Sequence, residues 1–249
     1  MLKSGEKKRF DLKTPGAFHG WGWIKHNLPH AQDRKDVKIF VMIEAVECLN
    51  PPADWAQCRN SDTVLITGDG GCLAKDVRKF ETWDVEHDVF AVNRSLTFHR
   101  RQVQHWAAVD LEETIWFSQN VTEDQCPNHK VITHTIGDLP GAVDYRWEMI
   151  YEWENDLQQL VISGNSGYFA VLAAIRMGYK KIILAGMPLD STPHWYEDPS
   201  KNYGPNWAGH VYTQWMDFKL KVPGAERVRS MSGYSAFILG EADEGFLDA

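Results

Sequence analysis

The chain has 249 residues, 43% of them hydrophobic, and a formal net charge of −8 at pH 7. This length and apolar content suit one large globular unit, or one unit with an extension, and argue against wholesale disorder. The acidic balance excludes a general nucleic-acid binder, which needs a basic surface to neutralise phosphates.

Residues 1–60 have the least regular spacing of apolar residues in the chain. Residues 37–49 form a mostly apolar run whose period fits a strand and a helix equally well, and two prolines follow it. The basic start is not followed by an apolar run of signal-peptide type, and no stretch reaches about 18 uninterrupted apolar residues. We therefore expect an N-terminal extension of unassigned structure, no transmembrane segment and a cytoplasmic location.

Residues 61–249 show a regular alternation of short apolar runs and helical stretches. The apolar runs predict strands at 64–67, 88–93, 106–109, 130–134 and 181–185. Helices are predicted at 74–83 and at 166–177, the second ending at Gly178. Nearly uninterrupted apolar strands are typical of a sheet covered on both faces. The prediction is an α/β, Rossmann-like domain with a mostly parallel central sheet and helices on both faces.

A glycine-rich loop follows the first of these strands. In parallel sheets, ligands bind beyond the carboxyl ends of the strands, where Gly68-Asp69-Gly70-Gly71 lies. Glycines there let a phosphate approach the backbone, and the following helix offers N–H groups at its N-terminus. The Asp69 carboxylate would repel a phosphate, so we expect it to face a sugar hydroxyl or an amine. An ordinary tight turn is the alternative interpretation of this loop.

Two more segments lie at predicted strand or helix ends. Asn93 ends the second strand, where its amide can bond a base or a ribose, or simply local backbone. Asn165-Ser166-Gly167 opens the long apolar helix. Asn165 or Ser166 is a natural N-cap, and the same helix end presents donors to a phosphate. Capping alone explains the serine equally well.

His210 is the candidate general base. It lies in a Gly- and aromatic-rich stretch that we expect to be a polar loop, and a histidine can transfer protons near neutral pH. No H-x-H, H-E-x-x-H or paired-acid spacing indicates a metal centre. The D-x-D motif of many nucleotide-sugar transferases is also missing from the sequence. A glycosyl transfer by this chain is therefore predicted to need no metal.

In this order, the segments resemble the bacterial lipooligosaccharide sialyltransferases with a Rossmann-like nucleotide domain. The resemblance covers roughly residues 63–215. The matching pieces are Gly68-Asp69-Gly70-Gly71-Cys72, residues 88–93 (DVFAVN), Ser166-Gly167, residues 178–186 (GYKKIILAG) and residues 207–210 (WAGH). Asp69 stands where that family tends to have Asn, and Asp190 where a phosphate-binding Tyr would be expected.

The resemblance implies a transferase with a nucleotide-activated donor, such as a CMP-sugar, and an unassigned hydroxyl acceptor. His210 would deprotonate the acceptor hydroxyl, with no cofactor. The residues predicted to bind the donor are Gly68, Asp69, Gly70, Gly71, Asn93, Asn165, Ser166, Gly167 and Asp190.

Two alternatives stay open. The same segments are similar to the MptE-like family, whose archaeal members transfer diphosphate to a hydroxymethylpterin. That reaction would need Mg²⁺ held by carboxylates such as Asp69, Asp110 or Asp190. The other alternative is a nucleotide-binding module without catalysis, because a fold does not determine a function. Metal dependence separates the two transferases, and donor turnover separates both from the module.

Overall fold

The computed structural model describes residues 8–9, 41–100, 103–121, 131–136, 144–153, 166–201 and 205–248. The strands are β1 (Lys8–Arg9), β2 (Val41–Cys48), β3 (Thr63–Thr67), β4 (Asp88–Val92), β5 (His105–Ala108), β6 (Ile132–Ile136), β7 (Tyr145–Trp153), β8 (Lys181–Ala185) and β9 (Val228–Ser230). The helices are α1 (Leu73–Glu81), α2 (Leu111–Asn120), α3 (Ser166–Arg176), α4 (Pro205–Lys221), α5 (Gly233–Leu239) and α6 (Glu244–Asp248).

All of these strands belong to one sheet, in the order β1-β7-β6-β5-β4-β3-β8-β9, with β2 also paired to β7. Strands β3 to β9 run parallel to one another, whereas β1 and β2 run antiparallel to β7. The chain adds β4 to β7 successively on one side of β3, and then places β8 on the other side. This reversal between β3 and β8 is where doubly wound sheets open a ligand crevice.

Helices cover both faces of the sheet, because successive strand residues point to opposite sides. On one face, strand residues such as Ile66 and Leu184 pack in a single core cluster with α3, α4 and α5. On the other face, Leu65 and Ile183 pack against α1, and Trp106 packs near α2. None of the described helices is long and apolar enough to cross a membrane.

The structure confirms the five predicted strands and their place in one mostly parallel sheet, with ends that shift by a residue or two. It also confirms both predicted helices, and Gly178 adopts a positive φ of 86° after α3. The ambiguous run at 37–49 contains a strand, β2.

The predicted loop around His210 is wrong. His210 lies in the 17-residue helix α4. The physical reason is tertiary packing, because Val211, Trp215 and Phe218 follow the spacing of one helix face and are buried in the core. This burial outweighs the low helix propensity of Gly209.

Candidate functional site

The glycine loop after β3 packs closely against the loop after β8. The Gly68 N–H donates to Ala185 O at 2.9 Å, and the Gly70 N–H donates to Gly186 O at 2.8 Å. A Cβ at Gly70 would lie 2.5 Å from Pro188 Cδ and 2.7 Å from Gly186 O. Close loop packing therefore explains these two glycines without a ligand, and their contact with a donor phosphate stays a prediction.

The loop after β8 also crosses the end of β3. The Trp195 N–H donates to Asp69 O at 2.8 Å, and His194 pairs with Gly70 in an antiparallel bridge. This crossing brings Tyr196 to the turn that follows β4. There, the Arg94 guanidinium carbon lies 5.1 Å from the centre of the Tyr196 ring.

Arg94 is held by aromatic and acidic groups from two directions. Its guanidinium carbon lies 5.5 Å from the centre of the Trp116 ring of α2, and its Nε lies 3.3 Å from the Glu113 carboxylate. Cation–π contacts and an ion pair together restrict a long side chain that would otherwise sample many rotamers. The result is a positive charge in a fixed place beside Asp69.

Two buried acceptor oxygens lie at this edge without a partner. Asp69 is 9% exposed, and its Oδ2 accepts the Arg94 N–H at 3.4 Å. Its Oδ1 is buried and has no hydrogen-bond partner in the described part of the chain, and the same holds for Asn93 Oδ1. Because β3 and β4 are adjacent and parallel, both side chains lie at the carboxyl edge of the sheet.

Hydrogen bonds to the ends of β3 and β4 fix the turn that carries Asn93 and Arg94. Ser95 Oγ donates to Thr67 O at 2.7 Å and accepts the Val92 N–H at 2.9 Å. Asn93 has a φ of 51°, a left-handed conformation that asparagine tolerates better than most residues. Its own carbonyl accepts the Trp106 Nε1–H at 2.8 Å. These bonds fix the backbone from which the Asn93 side chain projects.

Burial controls the electrostatics of this edge. It raises the pKa of Asp69 to about 7, although the Arg94 N–H and the Arg94 charge act in the opposite direction. Burial also raises the pKa of Tyr196 above its usual value. It lowers the pKa of His194, whose Nδ1 lies 3.2 Å from the Glu197 carboxylate. Buried acceptor oxygens near a cation can bind a ligand that has hydroxyl or amino donors and an anionic group.

The helix end predicted to hold a phosphate has a structural bond of its own. Ser166 is buried, and its Oγ accepts the Val109 N–H at 3.1 Å, which ties the start of α3 to the end of β5. Gly167 follows as a buried residue of α3. Asn165 lies outside the described residues. The structure thus places Ser166 and Gly167 at the same edge as Gly70 and Asn93.

The two other predicted carboxylates occupy separate positions. Asp110 is the residue that precedes α2. Asp190 accepts the Thr192 N–H at 3.0 Å in the loop after β8, and it contributes, after burial and Tyr234, to the raised pKa of Tyr212. Within the described ranges, no three His, Cys, Asp or Glu side chains are grouped as a metal site requires. Of His210 the structure describes the backbone in α4, but not the side chain.

Two residues of this site, Arg94 and Glu113, carry no role in the sequence-based predictions, and the sequence offers Tyr196 only as a substitute for a missing tyrosine hydroxyl at the phosphate, without placing it. A cation directly after a strand end is a usable signal for Arg94 at a ligand-binding edge. Glu113 gives a weaker signal, in the first turn of a helix that follows a strand. Tyr196 is placed by a loop that crosses from β8, which no local pattern indicates.

Comparisons of the chain with protein-family models, with curated proteins and with solved structures gave no significant match.

Proposed function

We propose that this chain is a Rossmann-like, nucleotide-binding transferase whose donor binds over the carboxyl ends of β3, β4 and β5. The observation that carries the proposal is the pair of buried, unpartnered acceptors, Asp69 Oδ1 and Asn93 Oδ1. Leaving such a group buried without a partner costs about 1–3 kcal/mol. A ligand with hydrogen-bond donors recovers that free energy, and the hydroxyls of ribose and the amino groups of bases are such donors.

The position of the two acceptors supports a nucleotide. Asp69 follows β3, beside the reversal between β3 and β8, and Asn93 follows β4. In dinucleotide-binding folds, the residue that ends the second strand of the unit bonds the ribose. Asn93 has that position relative to the unit that begins with β3.

Arg94 supports an anionic ligand. Its guanidinium contacts the rings of Trp116 and Tyr196, and its backbone N–H donates to the Asp69 carboxylate. Guanidinium groups bind phosphate oxygens through directed hydrogen bonds. We therefore assign to Arg94 the attraction of a nucleotide phosphate, in competition with its ion pair to Glu113.

The transfer step rests on the sequence resemblance. In that reaction, an acceptor hydroxyl oxygen attacks the anomeric carbon of the donor sugar. The bond to the phosphate oxygen breaks, the nucleotide leaves with the bonding electrons, and His210 takes the hydroxyl proton. Backbone dipoles at the start of α3 would stabilise the charge of the leaving phosphate.

The test is a melting-temperature screen of the wild-type protein against nucleosides, nucleotides and nucleotide sugars, in Mg²⁺ and in EDTA. A specific ligand at 100 times its Kd should add about 2.7 kcal/mol of stability. Arg94→Gln should weaken nucleotides more than the parent nucleosides, whereas the exposed Arg78→Gln of α1 should change neither. If no nucleotide or nucleotide sugar stabilises the protein, the proposed function is wrong.

A turnover assay with the ligands that stabilise the protein, in Mg²⁺ and in EDTA, separates the two transferases. Turnover of a CMP-sugar in EDTA supports metal-free glycosyl transfer. Turnover of a nucleoside triphosphate that requires Mg²⁺ would instead favour diphosphate transfer. Tight binding without turnover of any donor would leave a binding module.

A further inference from the structure

Asp69 differs from the other groups at the carboxyl edge because it combines burial with an unsatisfied charge-bearing oxygen. Its Oδ2 already accepts the Arg94 N–H, so a ligand meets Oδ1. Asn93 immediately precedes Arg94, and its Oδ1 is unpartnered as well. Neither oxygen can donate a hydrogen bond when Asp69 is ionised, so the complementary ligand offers two neighbouring donors.

We infer that Asp69 and Asn93 accept the two vicinal ribose hydroxyls of the donor nucleotide, and that Asp69 does so as a carboxylate, so that binding expels a proton from the site. This inference rests on the proposed function, since it identifies the nucleotide as a ribonucleotide with free 2′- and 3′-hydroxyls. It also concerns a residue of this chain at which the resembling sialyltransferases tend to have an uncharged asparagine.

The protonation of Asp69 in the ligand-free site determines how binding depends on pH. Burial raises the pKa of Asp69 to about 7, so a proton occupies this carboxyl over the acidic part of the neutral range. Hydroxyl donors stabilise the ionised form and lower that pKa. Above pH 7 the ligand meets a carboxylate. Below pH 7 it must displace a proton, and its affinity falls by up to about tenfold per pH unit.

The other charged or titratable groups around Asp69 come from the turn after β4, from α2 and from the loop after β8: Arg94, His99, Glu113, His194 and Tyr196. Burial lowers the pKa of His99 to about 4 and also lowers that of His194. Burial raises the pKa of Tyr196. These shifts move the titration of the three side chains away from pH 7, where Asp69 changes its charge.

Access to Asp69 requires a local movement. Asp69 is 9% exposed, whereas the side chains of Arg94 and Tyr196 beside it are 38% and 36% exposed, respectively. Because Asp69 is nearly buried, a ribose can reach its Oδ1 only when neighbouring side chains move.

The experiment is calorimetric titration of the full chain with CMP, UMP, AMP and GMP, and with the 2′-deoxy form of each, from pH 5.5 to 8.5. Two buffers with different ionisation enthalpies measure the proton released. The variants are Asp69→Asn, which keeps the shape but not the titration, and Asp62→Asn. Asp62 pairs with Lys180 at the opposite edge of the sheet, so this variant controls for the loss of a surface charge.

We expect at least one ribonucleotide to bind about 10- to 100-fold more tightly than its 2′-deoxy form, the usual value of a hydrogen bond to a charged group. Its affinity should fall below pH 7 with release of up to one proton, and Asp69→Asn should remove the part of both effects that lies near pH 7, leaving that of the nucleotide phosphate, whose second pKa is about 6. Asp62→Asn should behave as wild type.

Ribonucleotide binding that is independent of pH, or equal binding of the deoxy form, would overturn the inference and leave the proposed function standing. No binding of any nucleotide at any pH would overturn both.

Discussion

His105 and His134 lie side by side within the sheet, with His105 Nδ1 3.1 Å from His134 Nε2. The Trp147 Nε1–H donates to His134 Nδ1 at 3.2 Å, so the proton of His134 sits on Nε2 and is donated to His105. His105 Nε2 then donates to Tyr179 Oη at 3.0 Å, and the Tyr179 hydroxyl donates to Asp88 Oδ2 at 2.8 Å. Every nitrogen of both rings is used, and both rings are neutral.

This pair should make the fold sensitive to acid. Burial lowers the pKa of His105 to about 4 and that of His134 well below 6.5. Between those values and pH 6.5 the unfolded chain binds more protons, so stability falls as the pH drops. The expected slope is up to about 1.4 kcal/mol per pH unit for each histidine. Urea unfolding from pH 4.5 to 7.5 measures it.

His134→Gln is the informative variant for this prediction. It removes one of the buried rings and should lower the histidine part of the slope, to which His99 and His194 also contribute through their lowered pKa values, whatever it does to stability at pH 7.5. The series is best run in an Asp69→Asn background, because Asp69 contributes a slope of opposite sign below pH 7. An unchanged slope in His134→Gln would show that the buried pair does not control the acid response.

The glycine loop yields a prediction about packing. A Cβ at Gly70 would lie 2.5 Å from Pro188 Cδ, whereas a Cβ at Gly71 would approach Pro193 O at 3.1 Å. We expect Gly70→Ala to lower the free energy of unfolding by about 1–3 kcal/mol, the usual cost of overpacking, and Gly71→Ala to cost less. Chemical denaturation of both variants is the measurement. Equal stabilities would mean that the loops after β3 and β8 separate at little cost.

The sequence predicts the parallel part of the sheet because strands buried on both faces are almost continuously apolar. β3, β4 and β8 are such strands, and each is recognisable from five residues. β7 is different, because polar residues such as Arg146 and Glu148 interrupt it. Its place depends on pairing with β2, far away in the chain, and no local pattern encodes such a contact.

In the candidate site, too, the sequence indicates some residues and not others. Asp69 and Asn93 are recognisable because Asn93 directly follows β4 and Asp69 comes two residues after β3, at the carboxyl ends of parallel strands, where ligands bind. The contact of Arg94 with Tyr196 is not recognisable, since it joins the turn after β4 to a loop after β8. The helical position of His210 was missed because burial of Trp215 and Phe218, rather than local propensity, stabilises α4.

Asp69 should also limit the stability of the protein. Its pKa of about 7 in the folded state exceeds the ordinary value of 3.8, so the folded state binds more protons between these values and stability is lost as the pH rises through 7. Asp69→Asn should therefore raise the free energy of unfolding at pH 8 by about 2 kcal/mol and change it little near pH 4. Urea unfolding at the two pH values tests this. A variant less stable than wild type at pH 8 would show that the carboxylate is well solvated or paired.

His210 gives the last prediction, which concerns the transfer step. Its backbone lies in α4, directly before the buried Val211, and the resemblance makes its side chain the base that takes the acceptor proton. His210→Ala should then lower turnover of a CMP-sugar by about 10²- to 10⁴-fold, the usual effect of a positioned general base. Donor affinity should change little, because the base acts on the acceptor and not on the nucleotide.

A structural role for His210 leads to a different pattern. Its loss would then lower the melting temperature and weaken every ligand together, because packing errors in a helix affect the whole site. Met216→Ala, at an exposed position of the same helix, controls for truncation of an α4 side chain. Calorimetric titration of donor, a melting curve and a turnover assay on the three proteins separate the two roles. If His210→Ala is stable and its turnover is unchanged, His210 has no part in the reaction, and Asp190 and His194 in the loop after β8 become the next candidates.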